Sequence, residues 1–107
     1  MAEIPCPHLN SVVELTDERE AHISVQHPDL LPEHRNLLLE AISQPDRVFL
    51  SPRDPAARLF SRWFPELAGG KHVIAVILSD TAQSRFWIVT AYITRRLPEG
   101  VTQWQRS

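Results

Sequence analysis

The chain has one cysteine, Cys6, and only three glycines in 107 residues. A single thiol closes no internal disulfide and builds no zinc cluster, so the default compartment is a reducing cytoplasm. So few glycines leave no glycine-rich phosphate loop; "GGK" at residues 69–71 is too short for one and reads as a hairpin turn. No apolar run approaches the roughly 20 residues that span a bilayer, so no membrane partner is expected. The opening "MAEIPCPHLN" has no basic segment followed by an apolar one, so no secretory signal is expected. Repeats and low-complexity tracts are also missing.

What remains is the composition of one folded domain. Hydrophobic residues make up 43% and charged residues 22%. The expected organisation is a flexible N-terminus over residues 1–10, a single domain over 11–97 and a tail over 98–107. The net charge of −2 hides a division. Residues 1–46 carry two basic and nine acidic side chains, a balance of −7, and residues 47–107 carry nine and four, a balance of +5. The second part is suited to hold an anion; an uneven solvated surface is the plainer reading.

"VVEL" at 12–15 reads as a short strand. Thr16 then makes a good N-cap, followed by Asp17, Glu18 and Glu20 where carboxylates suit the helix dipole. That helix should stop near Gln26 or His27, before Pro28. A helical wheel places His22 between Ile23 and Val25, pointing inward or into a groove. Pro32 suits the first turn of a second helix, "PEHRNLLLEAISQ", whose inner face carries Leu38, Ala41 and Ile42. Strands are expected over 47–50, 57–64, 72–78 and 85–94. The fold class is therefore α+β: a short N-terminal strand, two helices, then a four-stranded antiparallel meander with the helices on one face.

In "RFWIVTAYIT", period-two alternation puts Trp87, Val89, Ala91 and Ile93 on one face and Phe86, Ile88, Thr90, Tyr92 and Thr94 on the other. The hydroxyls of Thr90 and Tyr92, with Arg95 and Arg96 just beyond, would suit a phosphate. Threonine and tyrosine are also ordinary strand residues on a solvated face. His27 reads as a helix-end residue, His8 and His34 as surface residues, and the role of His72 stays open. His22 and His27 are five apart rather than three or four, which argues against a metal site on the helix. Trp63, Trp87 and Trp104 read as core or cover.

Five segments taken together carry a resemblance. They are "HISVQHPDL" on the first helix, "ISQPDRV" leaving the second, "ARLFSR" in a following strand, "GKHVIAVIL" and "FWIVTAYIT". In this order they resemble the phage-type branch of the barnase–EndoU–colicin–RelE nuclease superfamily, over about residues 12–95. The resemblance implies metal-independent RNA cleavage, without a cofactor, by attack of a ribose 2′-hydroxyl on the adjacent phosphate to give a 2′,3′-cyclic end. It also implies a toxin-like or phage-derived protein, with RNA and a neutralising protein as candidate partners. Carried over by position, His22, Thr90 and Tyr92 match the family's histidine and "T-A-Y". Arg58 or Arg62 would be its strand arginine and Lys71 its lysine, with Arg58 assigned to catalysis and Arg62 and Lys71 to phosphate binding. His22 and Thr90 should then face one phosphate from opposing elements. The alternatives are a non-catalytic module of the same fold that binds RNA, nucleotide or a protein partner, and an interaction protein whose charge division drives self-association.

Overall fold

In a computed structural model describing residues 1–107, one mixed sheet of seven strands carries two α-helices. The elements are β1 (Ala2–Cys6), β2 (Ser11–Leu15), α1 (Asp17–Gln26), α2 (Arg35–Ser43), β3 (Arg47–Leu50), β4 (Ala57–Phe64), β5 (Lys71–Asp80), β6 (Arg85–Thr94) and β7 (Val101–Gln105). The strand order is β1-β2-β6-β5-β4-β3-β7. All neighbours are antiparallel except β2 and β6, which run parallel with one registered pair, Glu14 and Trp87, and an ion pair between Glu14 and Arg85.

This corrects the expected five-stranded arrangement. The two extra strands come from the chain ends, residues 1–10 and 98–107, which had been expected to be loose. Strand β1 folds back on β2 through a 3-10 turn at Pro7–Leu9, with Asn10 in the left-handed region. Its apolar pattern is broken by Pro5, a residue tolerated because β1 is an edge strand. Ile4 and Cys6 are nevertheless buried in the main core. Strand β7, "VTQWQ", is exposed along its whole length, so no burial pattern announces it. It is held by pairing with β3 and by Arg106, whose backbone N–H bonds to the Asp46 carbonyl at 2.8 Å and whose guanidinium pairs with the Asp46 carboxylate.

Helix α1 starts as expected, with Thr16 Oγ1 accepting from the Arg19 N–H at 3.1 Å. Its buried surface is narrow: Ile23 alone is fully enclosed, and His22 and Val25 are exposed, whereas His22 had been expected to point inward or into a groove. Helix α2 begins at Arg35, not Pro32. The preceding residues form turns, with the His34 N–H bonded to the Leu30 carbonyl at 2.7 Å, and these turns sink Leu30 and Leu31 into the core.

Both helices pack on the same side: α2 against β1, β4 and β5, and α1 against β6. Leu38, Ala41 and Ile42 meet Phe60, Val73, Ala75 and Ile77 in the main core. The opposite, helix-free face has its own small cluster of Phe49, Leu59 and Ile74, with Val76, Tyr92 and Leu97 packed against it.

A shift in the β5–β6 register decides what that face presents. Ile77 pairs with Ile88 but Val76 pairs with Thr90, leaving Val89 as an extra residue in β6. Simple alternation would put Ile88 and Thr90 on one face. With the bulge, Phe86, Ile88, Ala91 and Ile93 turn to the helix side, and Thr90 and Tyr92 turn to the open side.

The link from β6 to β7, residues 95–100, must cross this open face, because β5, β4 and β3 lie between those strands. Four strand spacings across the sheet and five residues along it separate Thr94 from Val101 by about 25 Å, which is about the reach of the seven extended Cα steps between them. The link therefore runs nearly taut. Leu97 anchors it in the Phe49, Leu59 and Ile74 cluster. At Gly100 the backbone lies against the Leu50 carbonyl and the Phe49 ring, where no side chain fits.

Candidate functional site

The bulge in β6 and the crossing link together shape a cleft of about 590 Å³ on the open face. Its floor is Leu59 from β4, Val76 from β5 and Tyr92 from β6. Pro52 and Arg53 from the β3–β4 loop and Pro98 and Glu99 from the link complete its lining. The loop is braced by its own turns: Ser51 Oγ accepts from the Arg53 N–H at 3.2 Å, and Asp54 Oδ1 from the Ala56 N–H at 2.9 Å.

The polar groups of the cleft are few. Neither the Arg53 guanidinium nor the Glu99 carboxylate takes part in an ion pair. Burial pushes the Tyr92 phenol above its ordinary value, so it stays a protonated donor at neutral pH. Thr90 sits beside the floor, directly across from Val76. The His27 ring lies 6.1 Å from the Tyr92 ring, centroid to centroid, where α1 ends. An apolar floor with a free planar cation, a carboxylate and a phenolic hydroxyl at its margins can hold a flat polar ring and an attached anion.

Of the six residues singled out in the sequence, Tyr92 lines this cleft and Thr90 adjoins it; the other four are elsewhere. His22 is exposed on α1 and lines none of the molecule's four hollows. No hydrogen bond or shared cavity joins it to Thr90. Arg58 and Arg62 follow the parity of Phe60, so they lie on the helix-bearing face. Arg58 bonds to Gln103 Oε1 at 3.1 Å and to Ser79 Oγ at 3.5 Å. Lys71 donates to the Ala68 carbonyl at 3.2 Å and lines a separate hollow of about 240 Å³ with Asp29 and His34.

Arg62 has a structural post. Its Nη1 donates to the Gln44 carbonyl at 2.6 Å, at the C-cap of α2, and its guanidinium pairs with Glu40 at 3.4 Å. A cation suits that helix end. Arg62→Ala is expected to cost about 1–3 kcal/mol, because it strips a charge-assisted bond from a helix end. Urea titration measures the loss.

His72 lies at the start of β5, its ring edge-on to Trp63 at 4.8 Å. Burial pushes its imidazole below the ordinary histidine range, with Asp46 opposing and Arg47 reinforcing the shift. The unfolded chain therefore takes up a proton at this position before the folded chain does. The associated stability is fully present above the unfolded pKa of about 6.5 and is lost as pH falls below it. Thermal midpoints should decline from about pH 7.5 to about pH 5. His72→Gln should flatten part of that decline. The tryptophans cover the molecule rather than fill it, with Trp63 43% and Trp104 38% exposed.

Sequence reading passed over Arg53 and Glu99. Arg53 lies in "SPRDP", between the strands expected over 47–50 and 57–64, and Glu99 lies in the tail expected over 98–107. His27, taken as a helix-end residue, is the imidazole beside Tyr92. Comparison with protein-family models, with curated proteins and with solved structures gives no match for this chain.

Proposed function

We propose that this protein is a metal-independent ribonuclease that holds single-stranded RNA in the open-face cleft. The observation that carries the reading is that Tyr92 and the unpaired Arg53 guanidinium line one cleft over an apolar floor. Unstacked bases of single-stranded RNA bind apolar and aromatic surfaces of this kind, and a planar guanidinium matches two phosphate oxygens. In the reaction a 2′-hydroxyl loses its proton and attacks the neighbouring phosphate. The bond to the 5′-oxygen breaks, that oxygen gains a proton, and a 2′,3′-cyclic phosphate remains. Arg53 would hold the non-bridging oxygens, with the Thr90 and Tyr92 hydroxyls as further donors. The His27 imidazole, its ring 6.1 Å from that of Tyr92, would transfer the proton. His22, indicated by the family resemblance, is its competitor for that role.

One observation favours a non-catalytic RNA- or nucleotide-binding module instead. Arg58 and Arg62, two of the expected cations, are engaged on the other face of the sheet. Incubating the purified protein with end-labelled RNA and with DNA of the same sequence, chelator present, separates the readings. The ribonuclease reading expects cut RNA with 2′,3′-cyclic ends and intact DNA. RNA that is bound but never cut supports the module, and cleavage that requires added metal sinks the mechanism. His27→Ala and His22→Ala, assayed side by side, identify the proton-transfer histidine by a loss of about 10²–10⁴-fold.

A further inference from the structure

One aromatic ring on the open face is exposed and yet held in place. Trp63 has the strand parity of Leu59 and lies four residues further along β4, about 13 Å from that part of the cleft floor. It is 43% exposed. Two neighbours fix the ring. The His72 imidazole, opposite on β5, stands edge-on to it at 4.8 Å. Gly70, with φ +100°, lies so close to the ring that a Cβ there would collide with its Cζ2 and Cη2 atoms. The position of the indole is therefore set before any ligand arrives. Cations stand around it. Arg47 of β3 is half-buried, joins no ion pair and lies close enough to His72 for its charge to act on that imidazole. Thr94, opposite His72 on β6, is followed by Arg95 and Arg96, which are exposed and join no ion pair. The Asp46 carboxylate, which accepts the Trp63 backbone N–H at 2.7 Å, is already paired with Arg106 and Arg62.

We propose that Trp63 and Arg47 form a second contact for single-stranded RNA, outside the cleft: a base stacks on the indole and the guanidinium takes a phosphate beside it. The inference rests on the reading of the open face as an RNA surface and extends the path of the strand along β4. Every base has a π face, so a fixed and exposed indole takes any of the four. Stacking costs the protein little freedom, because His72 and Gly70 already hold the ring. A guanidinium with no carboxylate partner keeps its donors for two phosphate oxygens. Arg95 and Arg96 add positive charge for the rest of the polyanion, whose counterions are released as it binds. A single nucleotide seated in the cleft leaves this ring uncovered, and a strand of several nucleotides spans both.

The test titrates the full chain with 2′-O-methyl oligouridylate of about eight nucleotides, and with the corresponding mononucleotide. Neither probe has the attacking hydroxyl, so both report binding alone. The oligomer should bind more tightly than the mononucleotide and quench tryptophan fluorescence. Trp63→Ala should weaken oligomer binding about ten- to hundredfold, the usual worth of one stacked base. Trp63→Phe should keep part of the affinity and lose most of the quench. Arg47→Gln should weaken binding and lower the slope of log affinity against log salt by about 0.7, the share of one phosphate on a single strand. Trp63→Phe and Arg47→Gln carry the test if Trp63→Ala does not fold. An oligomer that binds no better than the mononucleotide, or that binds the variants as it binds the parent, overturns the inference. Oligomer binding that the variants weaken, with RNA left uncut, upholds the inference and refutes the ribonuclease. RNA cleavage with oligomer affinity indifferent to the variants does the reverse. Absence of both oligomer binding and cleavage overturns both.

Discussion

Arg53→Ala is expected to lower the rate of RNA cleavage by about 10²–10³-fold, the usual cost of removing one charged donor from a transition state that gathers negative charge. The thermal midpoint should stay within a degree or so of the parent, because an exposed side chain with no ion pair contributes little to the fold. Arg53→Lys should recover only part of the rate, since an ammonium cannot present two parallel N–H groups to a phosphate. Tyr92→Phe is the companion measurement: it keeps the ring on the cleft floor and deletes the hydroxyl. If Arg53→Ala cleaves as fast as the parent, the cleft is not the reactive site. If instead it unfolds, the β3–β4 loop has a structural role that its hydrogen bonds do not reveal.

Phe60→Ala is expected to have the largest effect on stability. Phe60 is fully buried under the helices, and the His8 ring stands edge-on to it at 5.7 Å. Truncation removes an aromatic ring from the middle strands and leaves a cavity that β-sheet backbone cannot collapse into. The expected cost is about 3–5 kcal/mol, against a total of roughly 5–15 kcal/mol for a domain of ordinary stability. Chemical denaturation should show the midpoint falling with little change in slope. A loss below about 1 kcal/mol would mean that the core repacks around the gap. Set beside Arg53→Ala, this variant separates residues that hold the sheet together from residues that use its open face.

Local physics was legible in the residues themselves. Thr16 with its following carboxylates starts α1, and Pro28 follows its end. The segments 47–50, 57–64 and 85–94 are β3, β4 and β6, because β-branched and aromatic side chains at those positions suit a pleated, half-buried surface. The inner face of α2 is the one that Leu38, Ala41 and Ile42 mark out.

Pairing and placement were settled only in three dimensions. Strand β2 sits beside β6, more than 70 residues later in the chain, and no local pattern encodes a parallel contact with a single registered pair. Strands β1 and β7 take their places by hydrogen bonding to neighbours, an interaction of the backbone that side-chain periodicity does not report. The extra residue at Val89 reverses the facing of half of β6, so the partners of Thr90 could not be read from alternation. Arg58 and Arg62 had the right chemistry for a phosphate, but strand parity turned them toward the helices, where Gln103, Ser79, Gln44 and Glu40 engage them. Arg53 and Glu99 line one cleft because the link crosses the open face to Leu50, the strand end from which the β3–β4 loop leaves. Residue types determined which side chains were able to bind an anion or a base. The register of the strands and the path of that link decided which of them meet, because both depend on contacts between segments far apart in the chain.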